Sequence, residues 1–193
     1  MKIAKKIIAS AFALSLATSC SSQPVTHDND SIAQRSVVNE FFTWYVNETK
    51  LRGPSYYQVP TYKKVAPKSY IFDIDDLKKR LRHIPFLSEK FKAAQVEKLK
   101  ACNAEMQKVS WDSEPESQFN IRACDYLWYD NWIGGQGEDI DGFNIVDESD
   151  NGNSAIFTVQ IMIDGKPFTK SEVEVVRTDS TFKISSIQLN WKK

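Results

Sequence analysis

Residues 124–132 read Cys124-Asp125-Tyr126-Leu127-Trp128-Tyr129-Asp130-Asn131-Trp132, two carboxylates set among aromatic side chains. An Asp held beside phenol hydroxyls has the parts for proton transfer, with a base to take the proton and donors to stabilise developing charge. The same Trp and Tyr suit recognition, because each joins a large apolar area to a polar handle. Asp125, Trp128, Tyr129, Asp130 and Trp132 are therefore the candidate binding residues, within a recognition segment from Arg122 to Gly137. Gly134, Gly135 and Gly137 follow the aromatics and would let such a loop adjust to a partner. Nothing in the spacing marks one residue as catalytic.

Two other stretches imitate ligand sites. Asp147-Glu148-Ser149-Asp150-Asn151-Gly152 places oxygens and a glycine as a calcium loop does. An EF-hand also needs a bidentate Glu at its twelfth position, where this chain has Thr158. Asn151-Gly152 between apolar runs is instead a hairpin signal. Gly134-Gly135-Gln136-Gly137 lacks the strand, helix and lysine of a phosphate cradle, and Glu138, Asp139 and Asp141 would repel an anion. Two His and three Cys leave little material for a zinc or iron–sulfur centre. The sequence calls for no metal and no cofactor.

The elements that must position these residues come in two kinds. Val38, Phe41, Phe42 and Tyr45 recur at helical spacing, and Ser31-x-x-Gln34 has the form of a capping box. The spacing predicts a helix over 31–51, stopped at Gly53-Pro54. Residues 53–72, with three prolines and four tyrosines, read as an irregular connection. Asp73 caps a second helix carrying Leu77, Leu81 and Ile84 and ending at Pro85, with His83 well placed at its C-terminus. A third helix over 87–106 sets Leu87, Phe91, Ala94, Leu99, Cys102 and Met106 near one face.

After 142 the period falls to two. Ala155, Phe157, Val159, Ile161 and Ile163 alternate with polar residues, Asp164-Gly165 turns the chain, and Val173 and Val175 alternate with Glu172 and Glu174. Thr178-Asp179-Ser180 turns it again. Phe182 and Ile184 then stand out of phase with Ile187, Leu189 and Trp191, which requires a bulge near Ser185-Ser186. The fold class is α+β: three N-terminal helices packed on a curved antiparallel sheet of four C-terminal strands within 143–191, all one domain over 31–193.

All 25 basic residues are matched by 25 acidic ones, which argues against a nucleic-acid binder. The charges are segregated, however. Residues 31–110 hold 15 basic and 8 acidic side chains, whereas residues 111–193 hold 7 and 15. The expectation is that the two halves attract each other when packed; the alternative is an acidic sheet rim that favours a basic partner.

The first residues form an address. Lys2, Lys5 and Lys6 precede an apolar run, Ile7 to Ala17, that ends in Thr18-Ser19-Cys20. The order is that of a secretory signal, and the run is too short to cross a bilayer. Leu16-Ala17-Thr18-Ser19-Cys20 resembles a bacterial lipoprotein lipobox, with Ala17 where that family usually has Leu. The resemblance implies a signal peptide over 1–19, palmitate-type acylation of Cys20 and a polar tether over 20–30. Ser21 in place of Asp implies sorting to the outer membrane. Acylating Cys20 leaves Cys102 and Cys124 as the other two cysteines. In an oxidising compartment these should join, adding about 3 kcal/mol by chain entropy.

Phe41-Phe42-Thr43-Trp44-Tyr45, Cys124-Asp125-Tyr126…Asp130-Asn131-Trp132 and Phe182-Lys183-Ile184 resemble small envelope lipoproteins with a nuclear-transport-factor-2-like cone domain. That resemblance implies a cystatin-like cone with helices filling a curved sheet, and it brings no established catalytic set. The resulting expectation is a lipid-anchored, periplasm-facing binding or scaffolding module. It would meet the membrane through its anchor and an envelope protein or small ligand through its domain. One alternative is a cone-pocket enzyme of isomerase or hydrolase type using Asp125 or Asp130, by analogy with steroid isomerases of that fold. Another is an inhibitory protein that neutralises an envelope toxin. A direct consequence of the lipoprotein reading is that Cys20→Ser should move the protein from the membrane to the soluble fraction of fractionated cells; unchanged retention would end that reading.

Overall fold

The structure, a computed structural model, describes residues 27–53, 56–112, 132–134, 140–150 and 153–190. Helix α1 (His27–Arg52) is followed by strands β1 (Tyr62–Ala66) and β2 (Ser69–Phe72), then α2 (Ile74–Arg82) and α3 (Glu89–Met106). The chain closes with β3 (Gly142–Asp150), β4 (Ser154–Ile163), β5 (Lys166–Thr178) and β6 (Thr181–Leu189). The last four strands form an open antiparallel meander in the order β3-β4-β5-β6. Helix α1 packs across all four of them, and α3 reaches β6 and the β1–β2 hairpin. This is the α+β architecture that the two hydrophobic periods predict.

Helix α1 already includes residues 27–30, where a tether was expected, so Ser31 is an interior helical residue and not a cap. Its hydroxyl donates to Glu148 Oε1 at 3.0 Å, and Arg35 Nη1 meets the same carboxylate at 2.6 Å. A tertiary acceptor on β3 has displaced the local capping pattern. Asp28 and Asp30 lie in the first turn, where carboxylates are favoured by the helix dipole. At the other end Gly53 adopts φ +83° and donates its N–H to Thr49 O at 2.8 Å, the left-handed cap that stops a helix.

The connection after α1 is not irregular throughout. β1 and β2 pair as an antiparallel hairpin around Pro67-Lys68, with Lys68 at φ 57°. A lysine in the left-handed region gives no sequence signal of the kind that Asn-Gly gives, and the nearby prolines argued against strands. Asn103 of α3 fastens this hairpin. Its side-chain Nδ2 donates to Phe72 O at 3.0 Å and its Oδ1 accepts from Phe72 N at 2.7 Å, imitating a neighbouring strand.

Helix α2 has its expected cap, with Asp73 Oδ1 accepting from Asp75 N and Asp76 N. Helix α3 begins after Ser88, whose hydroxyl accepts from Phe91 N. Its inner face is Phe91, Val96, Leu99, Cys102, Asn103 and Met106. Ala94, expected inside, is exposed, because Val96 takes the inward direction in that turn. Leu87 stands outside the helix and bridges to Ile184, so that residues 86–88 cover the edge of β6.

Inward-facing Ala155, Phe157, Val159 and Ile161 are fully buried, as the alternation requires. Asp164 and Gly165 both take positive φ in the β4–β5 turn, the conformation a two-residue hairpin demands. On β6, Ser186 pairs with Glu174 and Ile184 with Val175, leaving Ser185 as the extra residue. The bulge therefore lies where the change of phase predicts, and it turns both Ile184 and Ile187 inward.

The core is an aromatic seam. Phe41 stacks on Tyr45 at 5.8 Å and meets Phe42 edge-on at 5.0 Å. Trp132 lies 5.9 Å from Phe41, 5.7 Å from Tyr45 and 6.1 Å from Phe91. Ser171 Oγ donates to Trp132 O at 2.6 Å, and Thr169 Oγ1 donates to Ile133 O, so β5 holds this segment by its backbone. Removing a side chain at such a centre leaves a cavity that the packed rings cannot close. Trp132→Ala should cost about 3–5 kcal/mol in urea unfolding, whereas a loss under about 1 kcal/mol would mean the seam is not central.

Candidate functional site

The structure brings only part of the expected recognition segment into view. Asp125, Trp128, Tyr129 and Asp130 lie outside the described residues, as does Cys124; Cys102 is disulfide-bonded. Trp132 is 1% exposed and belongs to the core, which corrects its assignment to an exposed recognition surface. Its aromatic neighbours on α1 already account for its presence. The described space between α1 and the sheet is packed by Phe41, Tyr45, Phe157 and Trp132.

The side of the sheet facing away from α1 differs from the core in kind. Val146, Ile156 and Phe168 stand 50%, 42% and 40% exposed, half of the large apolar residues found exposed among the described residues. Bulges put two of them there. Ile145 pairs with Val159 and Asp147 with Thr158, so Val146 is an inserted residue on β3. Gln160 pairs with Lys170 and Met162 with Pro167, so β5 carries an extra residue in its Phe168-Thr169 stretch. Extra residues of this sort bend a strand and redirect its side chains.

Between the two bulges runs a trough of about 730 Å³. Val146, Pro167 and Phe168 give it apolar surface, while Thr158, Gln160 and Asn190 give hydrogen-bonding groups. Asp147 and Lys170 also line it. Further along the same face, Glu172 pairs with Thr158 and Glu174 with Ile156, adding two carboxylates beside the exposed apolar row. Such a surface can hold an apolar side chain and attract a cation next to it. It has no evident arrangement for bond making. The signal was present in the sequence: Ala155-Ile156-Phe157 is apolar at three consecutive positions where strict alternation would allow two.

Clearly shifted titratable groups lie elsewhere, and one network of them surrounds the chain leaving α1. Tyr57 donates to Glu48 Oε2 at 2.6 Å, and Arg52 Nε reaches the same oxygen at 2.9 Å. Those bonds, led by that from Tyr57, hold the Glu48 carboxyl below its usual range despite some burial. Burial first, and then the Glu48 carboxylate, push the Tyr57 phenol up to about 12. Arg80 lies 4.1 Å from the Tyr56 ring and donates to Tyr56 O at 2.5 Å and to Asp76 Oδ2 at 2.6 Å. This network is a fastening. It fills no cavity and ties residues 56–61 to both α1 and α2. Among the described residues no group of three or more His, Cys, Asp or Glu is arranged to hold a metal, and no helix is long and apolar enough to cross a membrane.

Fold and site together define an α+β domain with its helices on one sheet face and a bulge-shaped trough on the other. No family model, curated protein or solved structure matches the chain.

The Tyr57 shift has a measurable consequence. A phenol that titrates at about 12 when folded and at 10.0 ordinarily keeps its proton longer in the native state, so its stabilising contribution is lost as pH rises through that interval. Unfolding free energy should therefore decline from pH 10 to 12, and the decline should be shallower in Tyr57→Phe. Equal slopes for the two proteins would remove the Tyr57–Glu48 bond from the stability of the fold.

Proposed function

We propose that this chain is a lipid-anchored, periplasm-facing binding module of the cell envelope, similar in kind to nuclear-transport-factor-2-like lipoproteins. It recognises a protein partner through the outer face of its β3–β6 sheet. The observation that carries this reading is the trough between the Val146 and Phe168 bulges, with exposed apolar residues next to Asp147, Glu172 and Glu174. Contiguous exposed apolar surface rimmed by polar groups is characteristic of interaction sites. The carboxylates favour a partner segment that places an apolar side chain beside Lys or Arg. The basic start, apolar run and Cys20 supply the support for export and anchoring.

Site-specific photo-crosslinking in whole cells tests the assignment. A crosslinker at Phe168 should give one discrete adduct that a crosslinker at Glu105, exposed on α3 outside any described groove, does not give. The adduct should weaken at least tenfold in a Glu172→Lys/Glu174→Lys protein, since reversing two rim charges turns attraction into repulsion. The same adduct from both crosslinker positions, or one indifferent to charge reversal, would exclude the outer sheet face as the binding surface.

A further inference from the structure

The helical half is basic, and its basic surface has a shape. From Lys78 to Lys100 the sequence holds eight Lys or Arg and two carboxylates. Four of the cations, Lys78, Arg82, Lys92 and Lys100, line one groove of about 360 Å³ between α2 and α3. Its floor is apolar, made of Leu81, Ala93 and Val96, and Glu89 and Glu97 stand at its sides. Lys92 is the most covered of the groove's ion-paired lysines, with its side chain 15% exposed and its ammonium 2.9 Å from Glu89. Lys78 and Lys100 make exposed ion pairs with residues of their own helices, at 3.6 and 2.6 Å, and such pairs hold little energy against a competing anion. Arg82 makes no ion pair among the described residues. Helix propensity alone does not require cations on both walls of one groove.

We infer that the α2–α3 groove is a docking surface for anionic phospholipid headgroups, and that it sets the orientation of the anchored domain on its membrane. The inference rests on the anchored reading above and deepens it. Three observations lead to a lipid surface. The groove offers flexible cations over aliphatic floor and has no Trp or Tyr among its lining residues, which suits smeared negative charge better than one shaped protein epitope. Its position is also right. Asp30, near the start of α1, and Pro85, in the α2–α3 connection, line the same cleft. The chain therefore enters the domain close to the junction of α2 and α3. Finally, seven peptide steps separate Cys20 from His27, and these can span no more than about 25 Å. An anchor at Cys20 would hold the basic groove near the headgroups.

The test uses Cys20→Ser protein purified from cells, so that no lipid contributes, with vesicles as the probe. Binding to phosphatidylcholine vesicles containing about 30% phosphatidylglycerol should exceed binding to pure phosphatidylcholine at least tenfold, and it should vanish in about 0.5 M salt. Each cation near an anionic surface is worth about fivefold in affinity, so Arg82→Glu should weaken binding by that factor or more. Lys78→Glu/Arg82→Glu/Lys92→Glu/Lys100→Glu should abolish it. Arg82→Glu removes an exposed side chain without an ion pair, and its unchanged circular dichroism separates lost binding from lost fold. Equal binding to both vesicle types, or undiminished binding by the folded variants, overturns the inference. So does displacement by millimolar glycerol phosphate, which would reassign the groove to a soluble anion, or capture of an acidic peptide without vesicle binding. Release of Cys20→Ser protein in cells reports on the anchor separately, because the vesicle assay contains none.

Discussion

The structure depends on burying Trp132 against Phe41 and Tyr45. An indole at that position joins three elements that are far apart in the chain: α1, α3 through Phe91, and β5 through the hydroxyls of Ser171 and Thr169. Taking backbone as well as side chain out of water would be costly if its carbonyls were left bare. Two β5 hydroxyls supply the missing donors, which explains why Ser171 is a fully buried polar residue in an otherwise apolar strand face. The helices and the sheet consequently share one core.

The sheet's irregularities are the second organising feature, and they serve two faces at once. The Ser185 bulge adjusts the inner face, allowing Ile184 and Ile187 both to reach the core. Those at Val146 and in the Phe168-Thr169 stretch adjust the outer face, placing apolar residues in solvent where a regular strand would set them by alternation alone. Residues 86–88 cover one edge of the meander, which limits edge-to-edge pairing on that side.

Few ion pairs between described residues join the two oppositely charged halves, and those that do are exposed, so charge segregation contributes little to holding them together. Arg35 meets Glu148 across the α1–β3 boundary, in the direction that the segregation suggests. Asp30 pairs with Arg177, which is the reverse sign arrangement. Arg177 also lies 4.5 Å from the Phe182 ring, so that one guanidinium serves both a helix and a strand. Most of the remaining charge faces outward, basic along α2–α3 and acidic along the outer sheet. A molecule of zero formal net charge is thus markedly polar.

The sequence by itself determined the elements whose periodicity is set by burial on one face. Val38, Phe41, Phe42 and Tyr45 could only be a helix stripe, and Ala155 to Ile161 only a half-buried strand. The phase change located a bulge near Ser185-Ser186, and Ser185 is the extra residue. Asp73 and Gly53 marked helix ends because capping is local chemistry. Tertiary structure decided whatever depended on a distant partner. Ser31 left its capping box for Glu148, β1 and β2 formed where prolines argued against them because Asn103 completes β2, and Trp132 went inside because α1 offered it rings. The shapes of the trough and of the basic groove were not readable for the same reason, although Ile156 already marked apolar surface on the outer face. Each is assembled from side chains on different elements, and a pattern along one strand or helix does not say which neighbour will stand beside it.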